Sequence, residues 1–375
     1  MARKSPRFVI PALGNRRKDW KALLQAGEVD PPYRIRKQVV GLVTGILGIF
    51  RAYETAKIKS RLEKTQIHER PIFILGHWRS GTTYLHNLLS MDERFGYLTN
   101  VQALFPHVFM SGGIVRWGLK VFMPATRPMD KMPVGLHTPQ EEDLALLNHG
   151  PTSYYKAWVF PREYEAIYDE TIALKDPADE KRWAVTYREL LRKISLNQQE
   201  RPLVLKNPAN TGRIPTLIRM FPQAKFIHIH RDPYEVYGSS KKLLRRAGPY
   251  FNLQEDSETQ LRERVVNVYR RLMRSYLEDR KLIPPGQLVE VKYEDFVAAP
   301  MSGLEQIYRA LDLFSFGPAR AFFQSHLKET RGYRVSQYEL PSEEKQILDR
   351  EWDFVPPHWY AQPLADAPKK QGLSG

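Results

Sequence analysis

Gly76-His77-Trp78-Arg79-Ser80-Gly81-Thr82-Thr83 is the stretch that decides how this chain folds. It follows the short apolar run PIFIL at residues 71–75, bounded by proline and glycine, which reads as a buried strand. It precedes residues 84–91, which read as a helix with its apolar residues on one side. A glycine-rich turn between a strand and a helix turns backbone N–H groups and the positive end of the helix dipole toward an anion.

The spacing is G-x-x-x-x-G, the spacing of loops that cradle nucleoside triphosphates, but Thr82-Thr83 stands where those loops carry Lys-Ser or Lys-Thr. That lysine serves the β- and γ-phosphates, and the hydroxyl after it holds Mg²⁺. Without the lysine, and with no obvious acidic metal ligand downstream, the loop is expected to hold one terminal anion and no metal. A 5'-phosphosulfate fits. Arg79 sits inside the loop, and its planar fork suits a bridge between a leaving phosphate and a migrating sulfuryl group. Ser80, Gly81, Thr82 and Thr83 would add backbone and hydroxyl donors. A plain glycine-rich turn with a solvated Arg79 is the alternative.

Outward from the loop, three more apolar runs read as strands: Leu203–Lys206, Lys225–His230 and Leu288–Lys292. Helical patterns fall between them at residues 180–199, 214–220, 236–244, 255–279 and 301–311. This alternation predicts an α/β fold, a three-layer parallel sheet with helices on both faces. The third strand ends in His230-Arg231-Asp232-Pro233, and Ser239 follows on the next helix. An arginine at a strand end and a serine on the following helix converge on one phosphate at the carboxyl edge of such a sheet, so Arg231 and Ser239 are assigned a 3'-phosphate. An Arg231 paired with Asp232 or a helix end, beside an exposed Ser239, is the alternative.

Gly76-His77-Trp78-Arg79-Ser80-Gly81-Thr82-Thr83 followed by His230-Arg231-Asp232-Pro233 and Ser239 resembles the sulfotransferases that use 3'-phosphoadenosine 5'-phosphosulfate (PAPS). The arginine version of the loop resembles the branch with bacterial enzymes and tyrosylprotein sulfotransferases; the familiar cytosolic enzymes carry lysine there. The likeness runs over roughly residues 70–345. It implies a P-loop-like fold, PAPS as co-substrate, 3',5'-ADP as product and no metal. Leu203-Val204-Leu205-Lys206-Asn207-Pro208 and Val291–Phe296 also resemble family strands, the second read as structural; Lys206 and Asn207 either line the site or, for Lys206, cap the strand. A basic loop near the C-terminus closes on the 3'-phosphate in the family, which makes Arg331 and Arg334 candidates in residues 328–338.

Transfer to a hydroxyl needs a general base opposite the leaving phosphate. The candidates lie in residues 135–144, GLHTPQEEDL: His137 for its ordinary pKa, and Glu141 and Glu142, where repulsion within a cluster with Asp143 raises one pKa. Pro139-Gln140-Glu141 resembles a segment of bacterial relatives, so the order is Glu141, Glu142, His137. An acidic first turn of a helix is the alternative. Tyrosylprotein sulfotransferases carry a glutamate shortly after the loop helix. Residues 95–102 lack it and Glu93 comes too early, which weighs against peptide tyrosine. The acceptor side reads as apolar: Tyr97, Leu104, Phe105, Phe109, Trp117, Phe122, Tyr154, Tyr155, Trp158 and Phe160.

The 375 residues carry 57 basic and 42 acidic side chains, a formal net charge of +15 that attracts phosphates, anionic lipid or acidic substrates. No zinc finger or RNA-recognition signature accompanies that charge, so nucleic acid is not expected. Cysteine is absent, which excludes disulfides and thiolate chemistry and fits a cytoplasmic compartment. No signal-peptide pattern follows Met1. The apolar run at residues 39–50 is short of the roughly 20 residues a span needs and is flanked by Arg34, Arg36, Lys37, Arg51 and Lys57. It reads either as a buried helix or as an interfacial helix on the inner face of an anionic membrane, with contact through residues 34–57.

The division expected is a basic helical extension over residues 1–69, a sulfotransferase domain over 70–355 and a tail over 356–375. The expected acceptor is a hydroxylated lipid or isoprenoid quinol, with carbohydrate and peptide tyrosine behind it. A P-loop kinase and a non-catalytic membrane-binding module are the competing classes.

Overall fold

The computed structural model describes residues 11–111, 135, 137–150, 152–329 and 338–360. Two N-terminal helices, α1 (Arg17–Leu23) and α2 (Arg34–Lys64), lead into β1 (Ile72–Leu75), whose four side chains are all buried. Next come α3 (Thr82–Leu89), β2 (Gly96–Tyr97), α4 (Asn100–Leu104), α5 (Glu142–His149), α6 (Lys156–Val159), α7 (Tyr164–Tyr168) and α8 (Pro177–Asn197). The chain continues through β3 (Leu203–Lys206), α9 (Ile214–Met220), β4 (Lys225–His230), α10 (Pro233–Phe251), α11 (Glu258–Asp279) and β5 (Leu288–Lys292). It closes with α12 (Tyr293–Ala298), α13 (Pro300–Ala310), α14 (Phe316–Glu329) and α15 (Ser342–Glu351).

The strands form one parallel sheet in the order β2-β3-β1-β4-β5. Alternation along each strand feeds two separate cores. Phe73, Leu75, Leu203, Leu205 and Phe226 pack on one face; Ile72, Ile74, Val204, Ile227 and Ile229 pack on the other. After β3 the chain crosses to the far side of β1 to form β4, so β1 and β4 are neighbours whose following turns leave in different directions. Ligands bind outside the carboxyl ends of strands at such a reversal.

The four strands expected from sequence are present; β2, two residues long, lacks any periodic signal and exists through its pairing with β3. Residues 291–296, expected as a strand, leave the strand after Lys292 and continue as α12, and α14 and α15 were also not anticipated. The apolar run at residues 39–50 is the middle of α2, whose inner side is fastened to the α/β body. Glu54 is fully buried against Lys193 of α8 at 2.5 Å, and Arg36 Nη1 donates to the Asn252 carbonyl at 2.8 Å.

Candidate active site

The loop after β1 is shaped by three left-handed residues: Gly76 at φ +134°, Arg79 at φ +76° and Gly81 at φ +98°. A Cβ on Gly76 would lie 2.3 Å from the Ile229 carbonyl oxygen, and one on Gly81 would lie 2.2 Å from the Tyr293 ring. Glycine is therefore dictated at both positions by sterics as well as by conformation. The loop closes on itself through Ser80 Oγ, which donates to the His77 carbonyl at 2.7 Å. Thr211 clamps its base: its hydroxyl accepts from Gly76 N at 2.8 Å and donates to the Gly76 carbonyl at 3.2 Å. Thr82 and Thr83 open α3, where first-turn N–H groups have no partner within the helix.

Arg79 has a side chain, so its positive φ costs on the order of 1–3 kcal/mol and persists only when neighbours fix it. Two do. Arg79 Nε donates to Ser239 Oγ at 2.8 Å, and the Arg79 carbonyl accepts from Arg231 Nη1 at 3.3 Å. The three residues chosen from two separate motifs thus meet in one place, at the ends of adjacent strands. Arg231 also donates to Glu235 Oε2 at 2.9 Å and lies over the Tyr293 ring at 5.0 Å, and Ser239 is buried on α10. Asp232 caps α10 by accepting from Tyr234 N and Glu235 N. Burial raises the Glu235 pKa, opposed by the Tyr338 N–H and the Arg231 charge. Arg331 and Arg334 lie outside the described residues. Tyr338 N donates to Glu235 at 3.0 Å, and the Tyr338 ring covers Gly238.

The acidic run 141–143 splits three ways, because successive residues at a helix start point about 100° apart. Glu141, at the N-cap of α5, meets Lys206 Nζ at 2.5 Å and accepts from the Tyr155 hydroxyl at 2.9 Å. Lys206 ends β3 opposite Ile74, one residue before the loop level of β1. Glu142 is fully buried: it accepts from Lys206 N at 2.9 Å and lies 3.4 Å from both the Tyr187 hydroxyl and Asn210 Nδ2. Asp143 accepts from Arg213, Asn207, Ser153 and Tyr154 N, and both it and Arg213 are fully buried. His137 lies exposed on the turn before Pro139.

Burial pushes the Glu142 carboxyl up to about 8, against the Lys206 charge and N–H, with the Glu141 and Asp143 charges adding to the rise. A carboxyl in that state is protonated at neutral pH and does not take up a proton there. Because the folded value lies above the unfolded 4.5, the folded state holds an extra proton between about pH 4.5 and 8. Stability from this group therefore falls as pH rises through that window. Glu142→Gln should remove this dependence: its Tm relative to the parent should climb steadily from pH 5 to 8. Parallel Tm–pH curves would refute the assignment.

A largely apolar cavity opens beside the loop. Its walls include Trp78, Tyr154, Trp158 and Leu243, so two of the aromatic residues expected on the acceptor side line it. Tyr155, behind Trp158, carries the hydrogen bond to Glu141. Phe160 belongs to the main core, while Leu104, Phe105 and Phe109 belong to a separate apolar cluster. Trp117 and Phe122 fall outside the described residues. Sequence reasoning left out Thr211, Arg213 and Arg264; none sits in a recognisable motif.

A family model described as "Sulfotransferase family" matches residues 71–316. The omega-hydroxy-beta-dihydromenaquinone-9 sulfotransferases Stf3 of Mycobacterium bovis and Mycobacterium tuberculosis are each 33% identical over 323 residues, covering 84% of this chain and 81% of theirs. Among solved structures, sulfotransferase STF1 from Mycobacterium tuberculosis superposes with a TM-score of 0.67 at 20% identity, over 92% of this chain and 94% of that one. STF9 from Mycobacterium avium gives 0.68 at 19%, over 91% and 95%. These two likenesses speak to the fold.

Proposed function

The chain belongs to the sulfotransferase family, and we propose that it moves the sulfuryl group of PAPS to the hydroxyl of an isoprenoid quinol or related hydroxylated lipid at a membrane surface. The observation that carries this reading is the 2.8 Å hydrogen bond between Arg79 and Ser239, with Arg231 on the Arg79 carbonyl. One donor set thereby serves two anionic groups at the β1–β4 crevice. In this reading Gly81, Thr82, Thr83 and Arg79 hold the 5'-phosphosulfate, and Arg231 and Ser239 hold the 3'-phosphate. The acceptor oxygen attacks sulfur, the bond from sulfur to the 5'-phosphate oxygen breaks, and Arg79 stabilises the charge gathering on that oxygen. The acceptor proton passes to Glu141, whose carboxylate the Lys206 ammonium and the Tyr155 hydroxyl orient. The acceptor class is supported by the relatives, named for a hydroxylated menaquinone derivative.

The membrane part rests on α2. Ile35, Leu42, Ile46, Phe50 and Tyr53 are 38–74% exposed and follow one another at intervals of seven, four, four and three residues, which makes a stripe along one side of the helix. Arg34, Lys37, Lys57 and Lys59 flank it, exposed. An apolar stripe edged by cations suits an anionic bilayer surface. Among the described residues no single helix is long and apolar enough to cross a membrane.

One experiment tests both parts: transfer of labelled sulfate from PAPS to a prenyl alcohol held in anionic vesicles or in detergent. Turnover is expected in both. The triple variant Leu42→Ser, Ile46→Ser, Phe50→Ser should lose roughly tenfold in the vesicle assay and little in detergent. Equal rates for parent and variant in vesicles would remove the membrane contact, and no transfer in either would remove the acceptor class.

A further inference from the structure

The cavity beside the loop carries polar wall atoms without a partner among the described residues, on His77, Trp78, Ser240 and Arg264, and Arg264 is the charged one. His77 and Trp78 come from the loop, Tyr154, Ala157 and Trp158 from around α6, Ser240, Leu243 and Leu244 from α10, and Arg264, Val265 and Val268 from α11. Arg264 is 7% exposed. Its Nη2 donates to Asp256 Oδ2 at 2.6 Å, while Nε and Nη1 are buried with no partner among the described residues. Ser240 Oγ is buried in the same condition, one residue past the Ser239 that meets Arg79. A guanidinium desolvated on two of its three nitrogens is a costly arrangement that an incoming oxygen would relieve.

We infer that this cavity seats the hydroxyl-bearing end of the prenyl acceptor, with Arg264 as the residue that selects a hydroxylated chain end over a plain hydrocarbon one; this rests on the acceptor reading above. The apolar walls take the methyl-branched chain. One unpartnered Arg264 N–H donates to one lone pair of the terminal hydroxyl, which leaves the other lone pair for sulfur and the proton for the base. The two loop groups in the wall supply no charged donor: the Trp78 indole N–H is neutral. His77 Nδ1 donates to the Trp78 carbonyl at 2.8 Å, so its Nε2 is the lone-pair nitrogen, and burial lowers its pKa to about 4, which keeps the ring neutral. A pocket built only of hydrocarbon discriminates weakly against a chain lacking the hydroxyl, whereas one with a buried donor left unpaired discriminates strongly.

The test uses farnesol, an allylic prenyl alcohol with one oxygen, as acceptor, and farnesene, the same skeleton without the hydroxyl, as competitor. In the parent enzyme the Ki of farnesene should exceed the KM of farnesol by about a hundredfold or more. In Arg264→Leu the ratio should shrink to less than about fivefold, through a higher KM and a lower Ki, while stabilisation by 3',5'-ADP stays as in the parent. Leu243→Trp, which narrows the cavity and leaves Arg264 alone, should raise KM and Ki together and preserve the ratio. A parent-like ratio in Arg264→Leu overturns the role of Arg264. Unchanged KM and Ki in Leu243→Trp overturn the location. Equal binding of farnesol and farnesene by the parent, without transfer to farnesol, overturns the acceptor reading and this inference with it.

Discussion

Arg79→Ala is expected to lower kcat for sulfate transfer by roughly a thousandfold, the scale set by losing a charged donor aimed at the breaking bond. The affinity for 3',5'-ADP should fall far less, by about tenfold or under. The asymmetry follows from geometry. In the proposed reading the nucleotide keeps Arg231, Ser239 and the loop N–H groups, whereas the bridging oxygen has Arg79 as its cation from within the loop. The Arg231 hold on the carbonyl at position 79 remains in the variant while the side-chain bond to Ser239 is lost, so a retained response to 3',5'-ADP shows that the loop keeps its shape. Arg79→Lys keeps the charge and loses the fork, so it should fall between the two. Steady-state kinetics paired with thermal shift by 3',5'-ADP separates chemistry from binding. A kcat within tenfold of the parent in Arg79→Ala would refute the role given to this residue.

Asp143→Ala should be the most damaging substitution for stability, costing about 3–5 kcal/mol, because it strands the Arg213 guanidinium in a fully buried position. That is a large share of the roughly 5–15 kcal/mol that a domain possesses. Arg213 stays held by the Thr171 carbonyl at 2.7 Å, by Asn210 Oδ1 at 3.0 Å and over the Trp183 ring at 4.7 Å, but none of these carries a counter-charge. The same carboxylate accepts from Tyr154 N at 2.7 Å, so the cavity wall loosens along with the core. Asp143→Leu combined with Arg213→Met should recover only part of the loss: it removes the stranded charge but leaves Tyr154 N, Asn207 Nδ2 and the Thr171 carbonyl without these partners. Urea denaturation of the three proteins decides it. A loss under about 1 kcal/mol in Asp143→Ala would mean that the pair does not anchor this region.

The acidic run shows where sequence reasoning stopped. Glu141-Glu142-Asp143 is visible as a cluster, and repulsion within it is a sound first guess at a raised pKa. What raises Glu142 is chiefly burial, with Glu141 and Asp143 contributing less. The three neighbours meet partners 65, 64 and 70 residues away, respectively Lys206, the Lys206 backbone and Arg213. No local pattern encodes contacts at that separation. Arg264 is a harder case: in sequence it is one of several arginines on an amphipathic helix, and its unspent donors become visible only when α10, α11 and the loop enclose it.

From the sequence alone came four of the five strands, the parallel α/β class, the glycine-rich turn after β1 and the candidate pair of Arg231 and Ser239. These are local matters: short apolar runs between breakers, and glycines where a side chain would collide, are legible in a window of a few residues. Tertiary structure decided that Arg79 and Ser239, 160 residues apart, hydrogen-bond to each other, that Glu141 alone of its run meets the Lys206 ammonium, and that one arginine faces an apolar cavity with donors to spare. The strand order β3-β1-β4 is the physical reason, because it sets two distant turns side by side at one sheet edge, and a sequence window contains no information about which strands become neighbours.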